Sequence, residues 1–343
     1  MKIILNETSP ENIGKWNNLL ESNKNNTVFQ SPPMYNFYKK VQNFEPFLFL
    51  CMDEEDNCSG VLLAVRIKEG RGLLGYLSSR IVVYGGPVIK EELSNKEEVL
   101  THLLDIFVSK LKNNCMFIQF RNFFEWTNNE KQIFENYGFS FKERLNLLVD
   151  TSSKDEVLSN ISSSKRRQIR NGLNSGVEIV DPENISEVKQ YYNLLFNLYK
   201  NKVKKPLPSW SFFKEFYEFS KNGDLGIIKL VKVNDQVIGG VVCPITNNRN
   251  IYEWYVVGLD KDFKQNFPSV LATWVPIEFA INNHLHHFDF MGLGKPTDAY
   301  GVRDFKMKFG KNIVNYGRFA RRNKVFYSPV EFVYNLLRIL KRV

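Results

Sequence analysis

Hydrophobic and polar positions follow helical and strand periods along the chain, and the same order of elements occurs twice. In the first half, helical spacing over 11–22, 33–42 and 95–113 flanks short apolar runs that end in polar or glycine-containing turns. In the second half, a basic helix over 154–174 precedes two further helices, a three-strand meander and a helix that begins at Pro268. The repeated order predicts an α+β arrangement used twice.

A change in composition marks the expected boundary between the two halves. The strand LNLLVD gives way to the polar stretch TSSKDE near residue 150. We therefore expect two domains, 1–152 and 153–343, each with a mixed, largely antiparallel sheet flanked by helices. The tail SPVEFVYNLLRILKRV predicts a basic amphipathic helix. Its apolar stripe fits either packing on the second domain or docking on an anionic membrane surface.

Charge and cysteine usage narrow the class of protein without naming it. The 343 residues carry a formal net charge of +9, which fits a phosphate-bearing small molecule, RNA or a membrane surface as partner. The four cysteines form no CxxC pair, and the histidines of HLHH lack thiol or carboxylate partners at ligand spacing. We therefore expect reduced thiols and no metal site. The short N-terminal apolar run and the lack of any membrane-length run predict a cytoplasmic protein.

Several stretches match one known family in their order and spacing. They are VYGGPV (83–88), LVDTSSKDEVLSNISSSKRRQIRNGLNSGVEI (148–179), VIGGVV (237–242), NFPSVLATWVPIEFAINNHLHHFDFMG (266–292) and RDFKMKFG (303–310). The chain resembles the Fem family of peptidoglycan-bridge aminoacyltransferases, in the short form without a coiled-coil insertion. The resemblance implies two tandem GNAT-type domains with a cleft at their junction. It also implies transfer of an acyl or aminoacyl group to an amine of an anionic cell-envelope precursor.

Lys306 is the first candidate catalytic residue. The resemblance places it in an FK pair whose lysine is implicated in acyl transfer, where a cation would stabilise charge on the acyl carbonyl or the leaving oxygen. Alternation in DFKMKF would place Lys306 and Lys308 on one face of a strand. A surface strand-edge lysine is the alternative for both. We predict Lys306 as catalytic and Lys308 as substrate-binding.

The densest basic run is SSSKRRQIRNGLNSG. Arg166 and Arg170 lie four residues apart on one helix face, with Lys165 and Arg167 beside them. Arginine forks suit phosphate groups. The resemblance implies an arginine here that contacts a phosphate-bearing substrate, and a solvated helix face is the alternative. We predict that Arg166, Arg167 and Arg170 bind substrate.

Four further residues complete the predicted site. In FQSPPMYNFYKK, Lys39 is the candidate for a lysine that the resemblance implies at the anionic acceptor, and a helix-end lysine is the alternative. Asp289, at the end of the strand HFDF, is predicted to act catalytically by orienting an amine or a backbone N–H. A structural turn aspartate is the alternative. Tyr300 and Arg303 in AYGVRDF are predicted to line the cleft.

Two carriers of the acyl group, aminoacyl-tRNA and acyl-CoA, are compatible with the sequence. The place of the acetyl-CoA pyrophosphate loop reads DFKQNFPSV, which lacks the glycine pattern of such loops, and Pro268 removes one amide. An aminoacyl-tRNA is therefore at least as plausible a donor as acyl-CoA, and no tightly bound cofactor is expected. The lack of a Ser-His-Asp or Cys-His pattern fits direct attack by the amine. The alternative functions are a non-catalytic binder of anionic RNA or glycolipid and an acyl-CoA-dependent N-acetyltransferase.

Overall fold

The computed structural model describes residues 1–69, 75, 78–297 and 301–323. Up to residue 142 the elements are β1 (Lys2–Leu5), α1 (Pro10–Glu21), a 3-10 turn (Val28–Gln30), α2 (Pro32–Lys40), β2 (Phe44–Met52), β3 (Cys58–Ile67), β4 (Arg80–Tyr84), β5 (Val88–Ile89), α3 (Lys96–Leu111), β6 (Phe117–Arg121), α4 (Asn128–Asn136) and β7 (Ser140–Lys142). The later elements are β8 (Asn146–Asp150), α5 (Lys154–Asn160), α6 (Ser163–Leu173), β9 (Glu178–Val180), α7 (Ile185–Leu198), a π-helical turn (Tyr199–Val203), α8 (Trp210–Lys221), β10 (Gly226–Val233), β11 (Gln236–Thr246), β12 (Asn250–Tyr252), β13 (Tyr255–Gly258), α9 (Pro268–Asn282), β14 (His287–Asp289), α10 (Gly301–Lys306), β15 (Asn312–Val314) and β16 (Arg318–Arg322).

The chain divides into two compact units. Among the described residues, the first comprises Met1–Glu143 together with Tyr316–Asn323, and the second comprises Arg144–Asn315. In the described residues, each unit is built on one eight-stranded sheet that mixes parallel and antiparallel neighbours. Helices flank each sheet, so the predicted α+β class is confirmed.

In the first unit the strands lie in the order β1-β2-β3-β4-β6-β16-β7, and β5 pairs with β3. β4 and β6 are parallel, with Val82 opposite Gln119. The connection between parallel strands needs a crossover, and α3 lies within it. Leu103 and Phe107 of α3 are fully buried in the core of this unit, where the ring of Phe107 meets that of Phe120 edge to face.

In the second unit the order is β15-β8-β14-β12-β11-β10-β9, and β13 pairs with β11. β10 and β11 form a hairpin through Asn234 and Asp235, which both have positive φ (47° and 62°) as a two-residue turn requires. This hairpin supplies the first two strands of the predicted meander. The helix α9 buries Trp274 and Ile277 in the core of this unit together with Phe288 of β14.

The third strand of the predicted meander is interrupted. Val242 of β11 lies opposite Tyr255, whereas Ile245 lies opposite Ile251, so three steps along β11 face four along its partner. One extra residue at Glu253–Trp254 therefore makes a bulge between β12 and β13. Bulges of this kind end a pairing and redirect a side chain.

At the bulge the sheet opens. β12 and β14 are parallel neighbours as far as Tyr252 and Asp289. Beyond that point β13 stays with β11, while the chain after β14 stays beside β8, with the Phe290 N–H donating to the Leu147 carbonyl at 3.1 Å. Two neighbouring strands thus separate at their carboxyl ends, where ligands commonly bind in open α/β sheets.

The predicted helix over 154–174 is two helices. Ile161 adopts an extended conformation and is fully buried, which ends α5. The Ser162 hydroxyl then accepts from the Lys165 N–H as the N-cap of α6. The apolar spacing alone did not reveal this break, because a buried residue at the junction keeps the helical spacing of apolar positions.

The boundary between the units differs from the expected split at 152 and 153. β8 pairs with β14 and β15 in the second unit, and β16 pairs with β6 and β7 in the first. The alternating apolar pattern of a half-buried strand fits either sheet, so local sequence does not select its partner.

Gly258 fixes the distance between β13 and α9. A Cβ at this position would lie 2.2 Å from the Ser269 nitrogen, in the backbone of the first turn of α9. We expect Gly258→Ala to lower the free energy of unfolding by about 3 kcal/mol, because the helix must move. Urea unfolding measures this loss. The matched control is Gly14→Ala in α1, where no atom lies within 4 Å of the added methyl and the change should stabilise by up to about 1 kcal/mol. Equal stabilities for the two variants would contradict the close approach.

Candidate functional site

A glutamate occupies the bulge at which the second sheet opens. Glu253 is 4% exposed, and its backbone N–H donates to the Asp289 carbonyl at 2.8 Å. The Trp254 N–H donates to the Val242 carbonyl at 3.0 Å. The bulge is therefore held from both sides, and it directs a carboxylate into the interior of the unit rather than toward water.

Lys306 meets this carboxylate at the end of α10. Its Nζ lies 2.8 Å from Glu253 Oε1 and donates to the Phe290 carbonyl at 2.8 Å. The side chain of Lys306 is 12% exposed and that of Glu253 only 2%. Glu253 belongs to the β12 side of the opening and Phe290 to the β14 side, so the ammonium bridges the two. Because the pair is buried, its stability depends on good geometry and on the further hydrogen bond to Phe290, which offset the cost of removing both charges from water.

The segment around Lys306 is helical, which corrects the strand predicted from DFKMKF. α10 ends at Lys306, and the Phe309 N–H donates to the Lys306 carbonyl at 2.9 Å in the following turn. Lys306 is turned inward, whereas Lys308 is exposed. The two lysines therefore do not share one face. Lys306 ends a short helix and Lys308 lies in the tight turn after it. The two lysines alternate with apolar residues in the sequence, as they would in a strand, although the segment is not one.

Asp289 ends β14 beside the pair and is 3% exposed. Its Oδ1 accepts from Asn146 Nδ2 at 2.7 Å and from the Met291 N–H. Met291 has a φ of 56°, a left-handed conformation that brings its N–H back to the carboxylate. Burial raises the pKa of Asp289 to about 6, although the bonds from Asn146 and Met291 and the charge of Lys306 act in the opposite direction.

Burial also raises the pKa of Glu253, against the attraction of Lys306. The site thus contains two buried carboxyl groups and a single ammonium. Two polar atoms in it are buried without a hydrogen-bond partner among the described residues, namely Glu253 Oε2 and Asn146 Oδ1. Both atoms are acceptors.

Two cations hold α10 in place. Lys165 Nζ lies 4.4 Å from the ring centroid of Phe305 and donates to Gln168 Oε1 at 2.7 Å, and it is buried. Burial lowers the pKa of Lys165, and the charge of Lys308 lowers it further. Arg303 donates to the carbonyls of Leu293, Lys295 and Pro296. The Arg303 guanidinium therefore orders the loop after β14.

The three predicted arginines lie on the surface of the second unit. Arg166, Arg167 and Arg170 are all exposed. Arg166 Nη1 donates to the Leu158 carbonyl at 2.6 Å. Arg166 and Arg170 also line a shallow groove beside Trp274 of α9. Of the basic run, it is Lys165 and not an arginine that turns toward α10.

Of the remaining predicted residues, Lys39 and Lys308 are each exposed in their own unit. Lys39 belongs to the first unit, where it is exposed and lies over the Tyr35 ring at 5.5 Å. Lys308 is exposed, and its carbonyl accepts from the Ser162 N–H at 2.9 Å. Tyr300 lies outside the described residues, as does the predicted tail helix.

The first turn of α9 has no amide left for an anionic ligand. Pro268 lacks an N–H, and the Ser269 N–H donates to the Asp260 carboxylate at 3.0 Å. The next two N–H groups, of Val270 and Leu271, both donate to the Phe267 carbonyl at 3.0 Å. A carboxylate of the chain itself thus occupies the position in which a helix N-terminus binds phosphate.

Within the described ranges, no group of three or more His, Cys, Asp and Glu side chains is placed to hold a metal ion. Nor does any helix of the described residues combine the length and apolar character needed to cross a membrane.

Sequence reasoning missed Glu253 and Asn146. Glu253 is the one acidic residue of the strand sequence IYEWYVVG, so a lone charge in an apolar run was the available signal. Asn146 gave no comparable signal, since a polar residue at the first position of a strand is ordinary.

Asp289→Asn tests the buried carboxyl directly. The folded-state pKa of about 6 exceeds the ordinary 3.8, so the folded chain binds more protons between these values and wild-type stability falls as the pH rises through them. Relative to wild type, the variant should therefore gain on the order of 3 kcal/mol of unfolding free energy between pH 4 and pH 8. Urea unfolding at both pH values measures the gain. An unchanged difference between the two proteins would show that the carboxyl is not buried as described.

The sequence and the fold were compared with those of known proteins, and both have matches. Residues 160–307 match the acetyltransferase (GNAT) domain. The crystal structure of FemX is similar with a TM-score of 0.72 at 14% identity, covering 96% of this chain and 100% of that chain. The C-terminal domain of a putative lysylphosphatidylglycerol synthetase from Agrobacterium fabrum gives 0.57 at 9% identity, covering 96% and 97%. A tandem GNAT protein from the clavulanic acid biosynthesis pathway gives 0.56 at 8% identity, covering 94% and 98%.

No curated protein matches the chain. The identities to the solved structures are low, and the agreement extends over nearly the whole length of each. The fold is therefore that of the tandem GNAT proteins, as the Fem resemblance implied, and residues 160–307 are similar to the acetyltransferase (GNAT) domain.

Proposed function

We propose that this protein is an acyltransferase that moves an acyl or aminoacyl group onto an amine of an anionic cell-envelope precursor. The GNAT domain match and the FemX-like fold support acyl transfer in general. The observation that carries the proposal is the buried Lys306–Glu253 pair at the opening of the GNAT-domain sheet. A cation fixed at such an opening is suited to a reaction that develops negative charge on a carbonyl oxygen.

The reaction needs no covalent enzyme intermediate. The neutral amine attacks the acyl carbonyl carbon, a C–N bond forms, and the carbonyl oxygen takes up negative charge. The C–O or C–S bond to the carrier then breaks, and the proton lost by the nitrogen goes to the leaving oxygen or sulfur. Lys306 Nζ has three N–H donors, of which Glu253 and Phe290 engage two at 2.8 Å. The third donates to the Gly292 carbonyl at the long distance of 3.5 Å, a weak bond that a closer substrate oxygen would replace.

An aminoacyl-tRNA is the donor that we propose. In the first turn of α9, the Asp260 carboxylate and the Phe267 carbonyl take the N–H groups that would otherwise face a pyrophosphate. This arrangement disfavours acyl-CoA bound in the manner of acetyl-CoA-dependent relatives. The exposed forks of Arg166, Arg167 and Arg170 suit contacts with the phosphates of a larger carrier. The name of one similar structure, lysylphosphatidylglycerol synthetase, also points to an aminoacylated product.

The anionic acceptor is proposed from the resemblance and from charge. A net charge of +9 favours a negatively charged substrate, and exposed Lys39 of the first unit is the candidate contact. We place the reaction in the cytoplasm, where both the donor and a nucleotide-linked precursor would be available, or at the inner membrane surface for a lipid-linked one.

A side-by-side assay of donors tests the proposed function. Radiolabelled aminoacyl-tRNA and radiolabelled acetyl-CoA are each incubated with the full chain and amine acceptors, namely a nucleotide-linked muropeptide and an amino sugar. We expect label to reach the acceptor from aminoacyl-tRNA, and binding of tRNA to weaken steeply with salt. Product from acetyl-CoA alone would identify an N-acetyltransferase instead. Salt-dependent tRNA binding without product would identify a non-catalytic binder.

Lys306→Ala should lower turnover at least ~100-fold, because it removes the cation that faces the developing charge. The variant also strands Glu253 as a buried charge, a loss worth about 3–5 kcal/mol of stability. The double variant Lys306→Ala/Glu253→Gln removes both charges, so we expect its thermal stability to recover while its turnover stays low. Lys311→Ala, at an exposed lysine of the same region, is the matched control. Recovery of turnover together with stability in the double variant would overturn the catalytic role of Lys306.

A further inference from the structure

We infer that Glu253 is an ammonium-recognition subsite, which selects a ligand carrying a positively charged amino group at the opening of the second sheet. The inference rests on the proposed function and deepens it by naming the chemical class of ligand. Two sources of the ammonium are compatible with the geometry: the α-amino group of an aminoacyl donor and the amine of the acceptor before it is deprotonated.

Within the described residues, the buried charges at this site do not balance. Glu253 and Asp289 are each at least 96% buried, and within the described residues a single cation, Lys306, stands against them. Buried charges are stable in proteins when they are paired and hydrogen-bonded. One carboxylate therefore lacks a counter-ion of its own. A ligand ammonium would supply that charge, whereas a neutral acyl group would leave it unbalanced.

The buried atoms that lack a hydrogen-bond partner at this site are of one kind. Glu253 Oε2 and Asn146 Oδ1 are buried acceptors with no donor among the described residues. Each such atom carries a desolvation cost that a hydrogen bond would offset. An ammonium offers three N–H donors and no acceptor, which is the complement of this pair. The carbonyl of an acetyl group offers only acceptors and would add to the deficit.

Glu253 is held in place without its second carboxylate oxygen. Its backbone is fixed by the bond to the Asp289 carbonyl, and its Oε1 by Lys306 Nζ at 2.8 Å. Oε2 is thus not needed to keep the carboxylate oriented. One oxygen of Glu253 makes the contacts that orient the side chain, and the other lies without a described partner beside the opening in the sheet. The carboxylate is therefore preorganised for a ligand.

Matched pairs of probes distinguish the charge from the rest of the ligand. The donor pair is a stable amide analogue of aminoacyl adenosine, 3′-deoxy-3′-(L-alanylamino)adenosine, and its N-acetylated form. The acceptor pair is Nα-acetyl-L-lysinamide and its Nα,Nε-diacetyl form. Binding of each to the full chain is measured by isothermal titration calorimetry at pH 7. We expect the charged member of at least one pair to bind tenfold or more tighter than its acetylated partner.

Glu253→Gln should abolish that preference, since it keeps the shape of the side chain and removes its charge. Glu253→Asp should retain part of it, which covers the case in which the glutamine variant is too unstable to assay. Glu218→Gln, a half-exposed glutamate paired with Lys221 in α8, is the control and should bind as wild type does. The pair that shows the Glu253-dependent preference identifies the source of the ammonium.

Equal binding of charged and acetylated probes to the wild type in both pairs would overturn the inference, as would a preference that survives in Glu253→Gln. The measurement needs no turnover. A Glu253-dependent preference without product in the transfer assay would therefore reject the proposed reaction and keep the subsite.

Discussion

The arrangement of the second unit depends on one buried ion pair, Lys306 with Glu253. Two strands of a sheet separate there, and their hydrogen-bonding edges must be satisfied in some other way. Lys306 does this by donating to Glu253 on one side and to the Phe290 carbonyl on the other. The ammonium therefore acts both as a structural bridge and as a charge held beside an opening.

The bulge is the backbone counterpart of that pair. Side chains alternate between the two faces of a regular strand, so a shift of one residue moves a side chain to the opposite face of the sheet. The extra residue moves β13 one step relative to β12 and lets Glu253 point inward, while Trp254 keeps its bond to Val242. The other strand ends at Asp289, whose carboxylate accepts a hydrogen bond from the N–H of Met291 in its left-handed conformation. Local irregularities in two neighbouring strands thus create the polar interior of the site.

Local signals in the sequence predicted a large part of the fold. The start of helix α9 at Pro268 and the α+β class both follow from residues close together in the chain. The sheet partners of β8 and β16 do not, because their short alternating patterns suit either sheet. For the site, the family motif led to Lys306, and the strand end led to Asp289. Glu253 depended on a one-residue bulge, a register difference between distant strands that no short stretch of sequence encodes.

The Asp260 carboxylate at the start of α9 has a consequence for how the donor could change during evolution. It is a tethered anion, so it competes with any free phosphate at an effective concentration of about a millimolar or more. A pyrophosphate would have to displace it before gaining the helix terminus, and Pro268 would still deny one donor. The positive end of the helix dipole thus already interacts with a carboxylate of the chain itself. Selectivity against one class of carrier can thus be built into a domain by a single internal competitor, without any change to the centre where the acyl group reacts.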